Sequence, residues 1–202
     1  MNNVKPPLSY RQRQALVTQG IILAAARELF LGQGYGSTTM EAISARAGVA
    51  VSTVYGIYKS KRGILKAIRE AWHLESGQRE IYEQALHEMN AARRMELAAS
   101  ATRRQWETGA TMMSIYASAA AVDSEAAAEL KEAFAGRRQN MAKFIEETAA
   151  MLRPNLKSPR ATAIYLALTR SEVYQEFVEV FGWSADEYEL WLADTLKQQL
   201  LS

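Results

Sequence analysis

Thr38, Thr39, Thr53, Tyr55 and Lys61 carry hydroxyl or ammonium groups suited to phosphate oxygens, and all five fall within the segment TTMEAISARAGVAVSTVYGIYKSK. Contacts of that kind set the register of a protein on a duplex without reading its sequence. Each residue alone serves equally well as a helix cap or a surface side chain. Their setting gives them weight, because the segment reads as two short helices, Thr39 to Ala47 and about Ala50 to Tyr58. Gly48 allows the sharp turn between them and Val49 is the apolar plug. In a helix-turn-helix the first helix braces on the backbone and the second enters the major groove.

Residues 50 to 58 contain no Arg, Lys, Asn or Gln, so bidentate recognition of guanine or adenine from this helix is excluded. Readout is expected to rest on thymine methyls, hydroxyl contacts and DNA shape. Arg11 and Arg13 are placed to reach a narrow minor groove, or to be solvated. The charge is divided to match. The first 62 residues hold eight basic side chains (Lys5, Arg11, Arg13, Arg27, Arg46, Lys59, Lys61, Arg62) against Glu28 and Glu41, a net of +6 inside a chain of only +2. The remaining 140 residues therefore carry −4, and only the N-terminal part looks suited to a polyanion.

With no cysteine, thiol catalysis, cysteine-ligated metals and disulfides are ruled out. His73 and His87 are the only histidines and lie in no H-E-x-x-H pattern, and there is neither a P-loop nor a nucleophile elbow. Neighbouring carboxylates such as Glu146 and Glu147 sit about 100° apart on a helix and read as a solvated face. No catalytic residue, metal ligand or cofactor is expected. The N-terminus lacks the apolar core of a signal peptide. The longest apolar-leaning run, Ala110 to Val122, is interrupted by Thr111, Ser114 and Ser118, so a cytoplasmic protein without a membrane partner is expected.

The fold expected is all-α: an N-terminal three-helix DNA-binding domain with a helix-turn-helix, followed by a larger helical ligand-binding and dimerisation domain. Residues 1–11, with Pro6-Pro7, form a flexible arm; 12–61 form the DNA-binding domain; 62–202 form the larger domain. Ile22, Ala26, Leu29 and Phe30 share one face of a helix from about Arg11 to Gln33, ended at Gly34. Thr38 with Glu41 makes a capping-box pattern for the next helix, whose buried face is Ile43 and Ala47. Further helices are expected at about 62–75, 78–107 with a break possible near Asn90, 110–121, 124–152, 159–181 and 185–200. Ser184 is the expected N-cap of the last.

At this point the chain resembles the TetR family of bacterial transcriptional regulators. The resemblance runs through Ile22-Leu23, Leu29-Phe30, Gly34-Tyr35, Thr38-Thr39-Met40, Ile43, Ala47-Gly48-Val49, Thr53-Val54-Tyr55, Tyr58, Ser60-Lys61 and Ile64-Leu65. It implies that Thr39, Thr53, Tyr55 and Lys61 hold phosphates while Val51, Ser52 and Gly56 face the bases. With Thr38, Tyr58 and Lys59 these complete the candidate DNA-contacting set. Ala50 departs from the polar cap usual in the family.

The ending GWSADEYELWLADTLKQQLL resembles the family's final helix. This implies that the last two helices pair with their twins in a homodimer, through stripes formed by Tyr174, Phe177, Val178 and Phe181, then Tyr188, Trp191, Leu192, Thr195 and Leu196. The resemblance also places Trp72, Trp106, Met112, Met113, Tyr116, Phe134, Met141 and Phe144 around a central cavity for a small, largely apolar or aromatic effector. Arg103 or Arg138 would anchor a polar group. Taken singly, ordinary core packing is the stronger reading of each apolar residue and a surface ion pair of each arginine, so the pocket rests mainly on the resemblance. A repressor released from an inverted-repeat DNA operator by that effector is the resulting expectation. The alternative is a DNA-bound adaptor or architectural protein whose helical domain recruits a protein partner and takes no small molecule.

Overall fold

The computed structural model describes residues 9–201, which are helical almost throughout and group into two compact units that meet in sequence at Arg69 and Glu70. Lys5 and the Pro6-Pro7 pair of the expected arm lie outside the described residues. Residues 9–11 do not belong to an arm: Ser9 caps a helix through a capping box with Gln12.

In the first unit, α1 (Tyr10–Ser37) buries Ile22, Ala25, Ala26, Phe30 and Tyr35 and is kinked at Gly34, where φ is 82°. By length and composition α1 is also apolar enough to cross a bilayer, which the sequence reading did not raise; 22% of that apolar window is buried in the unit's own core, while Leu16, Val17, Ile21 and Leu31 are exposed. Helices α2 (Met40–Ala47) and α3 (Val51–Tyr58) follow, then α4 (Lys61–Glu75), within which the boundary between the units falls. The N-cap of α2 is Thr39, whose Oγ1 accepts from Ala42 N at 3.1 Å. The expected Thr38–Glu41 capping box therefore does not form: the cap falls one residue later, and the N3 residue is then Ala42, which cannot return the bond. Thr38 instead turns inward, donating to Gly34 O at 2.8 Å.

The second unit contains the rest of α4, α5 (Gln78–His87), α6 (Ala91–Ala120), α7 (Ser124–Glu147), α8 (Ser158–Leu168), α9 (Ser171–Gln175) and α10 (Ala185–Leu200). Two expected boundaries are wrong, each for a tertiary reason. No break occurs at Gly109. A Cβ there would lie 2.7 Å from the Trp72 indole, so the missing side chain provides a seat for that ring on an unbroken helix. The 159–181 segment is not one helix. The Thr169 carbonyl accepts from Trp106 Nε1 at 3.0 Å and from Arg137 at 2.7 Å, which draws it away from the helical ladder, and a π-helical turn over Glu176–Val180 ends α9.

Elsewhere the local signals hold. Asn90 caps α6, so the break near it is real, Asp123 caps α7, and Ser184 caps α10 in a capping box with Glu187.

The most heavily hydrogen-bonded buried residue of this unit is Arg94, 3% exposed. Its guanidinium donates to Leu86 O and Glu88 O at the end of α5, and to Glu147 O and Thr148 Oγ1 at the end of α7. Orphan carbonyls of two helix C-termini are thus satisfied by one cation, which also suits the negative ends of their dipoles.

Candidate nucleic-acid interface

The turn between α2 and α3 is closed from both sides. Gly48 takes the left-handed conformation with φ 66°, where a Cβ is strained. Ser44 then donates through Oγ to Val49 O at 2.6 Å, while Val49 N returns a bond to Ser44 O at 3.2 Å. Sequence reasoning passed over Ser44; its place four residues before the turn glycine was the available signal. Val54 is fully buried, anchoring α3 through its inner face. On the outer face Val51, Ser52, Tyr55 and Gly56 are exposed and Thr53 is half-buried. Ala50 makes no side-chain cap, so α3 begins without one.

The ten candidate residues divide. Val51, Ser52, Thr53, Tyr55 and Gly56 lie together on α3, with the exposed Thr39 at the start of α2 and Lys59 at the end of α3. Lys59 itself closes α3, its Nζ donating to Gly56 O at 2.7 Å. Three others are turned to internal tasks. Thr38 is 1% exposed. Tyr58 is half-buried and donates to Gln19 O at 3.2 Å, tying α3 to α1, and burial raises its phenol pKa. Lys61 sends its ammonium to Tyr35 O at 2.6 Å, Thr38 O at 2.9 Å and Gly36 O at 3.3 Å, with the Tyr35 ring 4.3 Å away. An ammonium has three N–H bonds, and here three carbonyls at the end of α1 take them. Thr38, Tyr58 and Lys61, all in the expected DNA-contacting set, thus serve in this structure as helix-end and interhelix ties.

Gly63 is a further residue missed in the sequence. A Cβ there would stand 1.9 Å from the Tyr58 carbonyl oxygen, so α4 can start close behind α3 only with glycine at this position. Arg46 pairs with Glu28 at 2.6 Å, which cancels one of the eight basic charges counted earlier.

The residues expected to surround a cavity are mostly buried. Trp72, Trp106, Met112, Tyr116 and Met141 are at most 9% exposed, and Met113 is half-buried. Trp106, Met141 and Phe144 share one core with Met95, Tyr165, Tyr174, Tyr188, Leu192 and Leu196, against which Met113 packs. Trp72 is engaged separately, with Nε1 donating to Thr108 Oγ1 at 3.1 Å. Phe134 and Arg138 are exposed, which removes them from an interior lining. Arg103 is in ion pairs with Glu107 and Asp186. On α7 it is Arg137, one position away from the expected residue, that turns inward: it bonds Thr169 and lies 5.7 Å from the Trp106 ring. An open depression of about 510 Å³ lies on α5, lined by Glu80, Glu83, Gln84, His87 and Glu88.

The expected dimer stripes also divide. Tyr174, Tyr188, Leu192 and Leu196 are buried in their own unit and are unavailable to a second copy. Phe181 is 69% exposed, whereas Phe177, Val178, Trp191 and Thr195 are half-buried. Val180, Trp183 and Leu190, not singled out in the sequence, are exposed beside them.

Residues 22–68 match the family model described as bacterial regulatory proteins, tetR family. No curated protein sequence matches this chain. Several solved structures share its fold. SmeT in its triclosan complex is 21% identical, with a TM-score of 0.73 and 92% of each chain covered. NalD, the secondary repressor of the MexAB-OprM multidrug efflux pump in Pseudomonas aeruginosa, is 19% identical, with a TM-score of 0.72 and 94% of this chain and 98% of that one covered. The fatty acid degradation regulator FadR from Bacillus halodurans is 13% identical, with a TM-score of 0.67 and coverage of 89% and 94%.

Proposed function

We propose, from the match of residues 22–68 to the family model of bacterial regulatory proteins, tetR family, that this chain is a dimeric, cytoplasmic repressor of that family. A small, largely apolar or aromatic effector releases it from an inverted-repeat operator. The observation that carries this reading is the exposed face of α3: Val51, Ser52, Tyr55 and Gly56 stand outward on a helix whose inner residue Val54 is fully buried.

That face has small and hydroxyl-bearing side chains and one aromatic ring. Its chemistry suits thymine methyls, and the absence of long donors leaves specificity to DNA shape as well as contact. Thr39, Thr53, Tyr55 and Lys59 are the proposed phosphate ligands, and Val51, Ser52 and Gly56 the base-facing set. Phe181 with Val180, Trp183 and Leu190 is the proposed dimer surface, with Phe177, Val178, Trp191 and Thr195 at its base. A two-fold dimer places its reading helices on half-sites about 34–36 Å apart or a multiple of that.

An effector acts only through different affinities for two arrangements of the dimer. The segment proposed to carry the change is α4, which contributes the buried Ile64 and Leu65 on one side of the unit boundary and Trp72 on the other. SmeT is known in complex with triclosan, a precedent in this fold for an aromatic ligand.

The test is capture of genomic DNA fragments by the purified protein at near-physiological salt, which suppresses non-specific phosphate binding. A recurring inverted repeat is expected. Retention without a common site would overturn the reading and leave an adaptor or architectural DNA binder.

A further inference from the structure

The buried polar groups in the second unit's main core nearly all have assigned partners. Thr102 Oγ1 donates its single proton to Ala98 O at 2.8 Å. Its 3.2 Å contact with Tyr82 must then be one that it accepts, so Tyr82 spends its own proton on Thr102. The 2.9 Å contact between Tyr82 and Tyr165 is therefore donated by Tyr165. One chain of bonds, Tyr165 to Tyr82 to Thr102 to Ala98, uses every hydroxyl proton in it.

Tyr188 stands outside that chain. It is fully buried in the same core, and its hydroxyl oxygen, with less than 1 Å² exposed, has no hydrogen-bond partner. An unmet hydroxyl in such a place costs on the order of 1–3 kcal/mol, and a phenylalanine would fill the same space without that cost. Burial drives its pKa well above the ordinary phenol value, with the Tyr82 and Tyr174 phenols adding to the rise and the Arg137 charge opposing it. Tyr188 is accordingly a neutral O–H donor at any physiological pH.

The side chains around it are aromatic and adaptable. Tyr174 lies edge-on to the Tyr188 ring at 5.0 Å, and Met95, Met141 and Met113 belong to the same core or pack against it. Methionines are unbranched and re-pack around an irregular ligand.

We infer that the Tyr188 hydroxyl is the hydrogen-bond donor of the effector site, and that the effector is an uncharged aromatic or apolar molecule carrying an oxygen acceptor such as a ketone. This rests on the proposed ligand-gated function and adds to it the chemistry of the ligand. It also places the recognising residue on α10, the helix that bears Leu190 and Trp191 of the proposed dimer surface. Contact with the effector and contact with the second subunit thus share one rigid element.

Acetophenone and ethylbenzene, which match in size and differ by one carbonyl oxygen, are the probes. Binding of each to the full chain is measured by thermal shift, with wild type and Tyr188→Phe in parallel, together with release from captured DNA. In wild type acetophenone is expected to bind about tenfold more tightly than ethylbenzene, the worth of one hydrogen bond to an otherwise unmet donor. In Tyr188→Phe the preference falls to near unity, while the ligand-free melting temperature stays level or rises.

A preference kept in Tyr188→Phe would overturn the inference. So would equal binding of both probes to wild type, binding of neither, or a marked loss of ligand-free stability in the variant, which would mean that the hydroxyl has a structural partner. Release from DNA by both probes in both proteins would remove Tyr188 from the site yet leave ligand gating standing. A Tyr188-dependent preference with no change in DNA retention would uphold the site and defeat the gating.

Discussion

The two units bury polar side chains to opposite ends. In the N-terminal unit the inward hydrogen bonds of Thr38, Ser44, Tyr58 and Lys61 each finish on a backbone carbonyl at a helix end, turn or neighbouring helix. Each bond closes the scaffold and leaves an outer face of small residues on α3. In the larger unit the comparable groups act across helices: Arg94 clamps the ends of α5 and α7, and Tyr165, Tyr82 and Thr102 bond one another in the core. Tyr188 is left open. The first arrangement suits a rigid surface that meets a rigid duplex, the second an interior with bonding capacity to spare.

Four substitutions test the contrast. Arg94→Leu should have the largest effect, leaving carbonyls of two helix ends unmet in the core. A loss of about 3 kcal/mol or more is expected in denaturant unfolding of the full chain, and a loss below about 1 kcal/mol would mean that the cross-helix clamp is incidental.

Gly63→Ala comes next, since its Cβ would press on the Tyr58 carbonyl at 1.9 Å. Overpacking of this kind costs about 1–3 kcal/mol. It should abolish DNA retention while the helical circular dichroism is largely preserved, and unaltered DNA affinity would show that α4 need not approach α3 so closely.

Lys61→Met sharpens the comparison most directly. Removing three bonds from a charged donor should destabilise the N-terminal unit by about 1.5–3 kcal/mol, with the salt dependence of DNA binding unchanged. A slope reduced by about one unit would instead restore Lys61 as a phosphate ligand.

Ala50→Ser should have the smallest effect, a gain of about 1 kcal/mol from a new N-cap on α3. If thermal melts show no gain, the first turn of α3 already has its donors satisfied by other means.

Legibility followed the same division. Gly48, the run of hydroxyls and the apolar spacing of α1 are local signals, and they located the turn, the two short helices and the exposed face. The cap at Ser184 and the breaks at Asn90 and Asp123 were likewise legible, because a cap acts within three residues of its helix. Direction was not. Thr38 and Thr39 are chemically alike, and only the kink at Gly34 decides that the first faces inward and the second caps α2. Lys61 reads as a cation for phosphate until the end of α1 arrives beside it, 26 residues back in the chain.

The larger unit shows where sequence stops. A glycine in a helical run reads as a break, yet Gly109 is a seat for an indole from another helix. Arg138 read as the ligand anchor, but the α7 rotation puts Arg137 inward. Tyr174, Tyr188, Leu192 and Leu196 of the stripes expected to meet a partner were needed at home. By itself the sequence determined an all-helical chain with a basic N-terminal head and a glycine-turned pair of short helices, since periodicity, capping and charge are written in neighbouring residues. The tertiary structure alone decided which side chains of the larger unit are core, which are surface and which hydroxyl lacks a partner, because burial and bonding there depend on helices far apart in the chain.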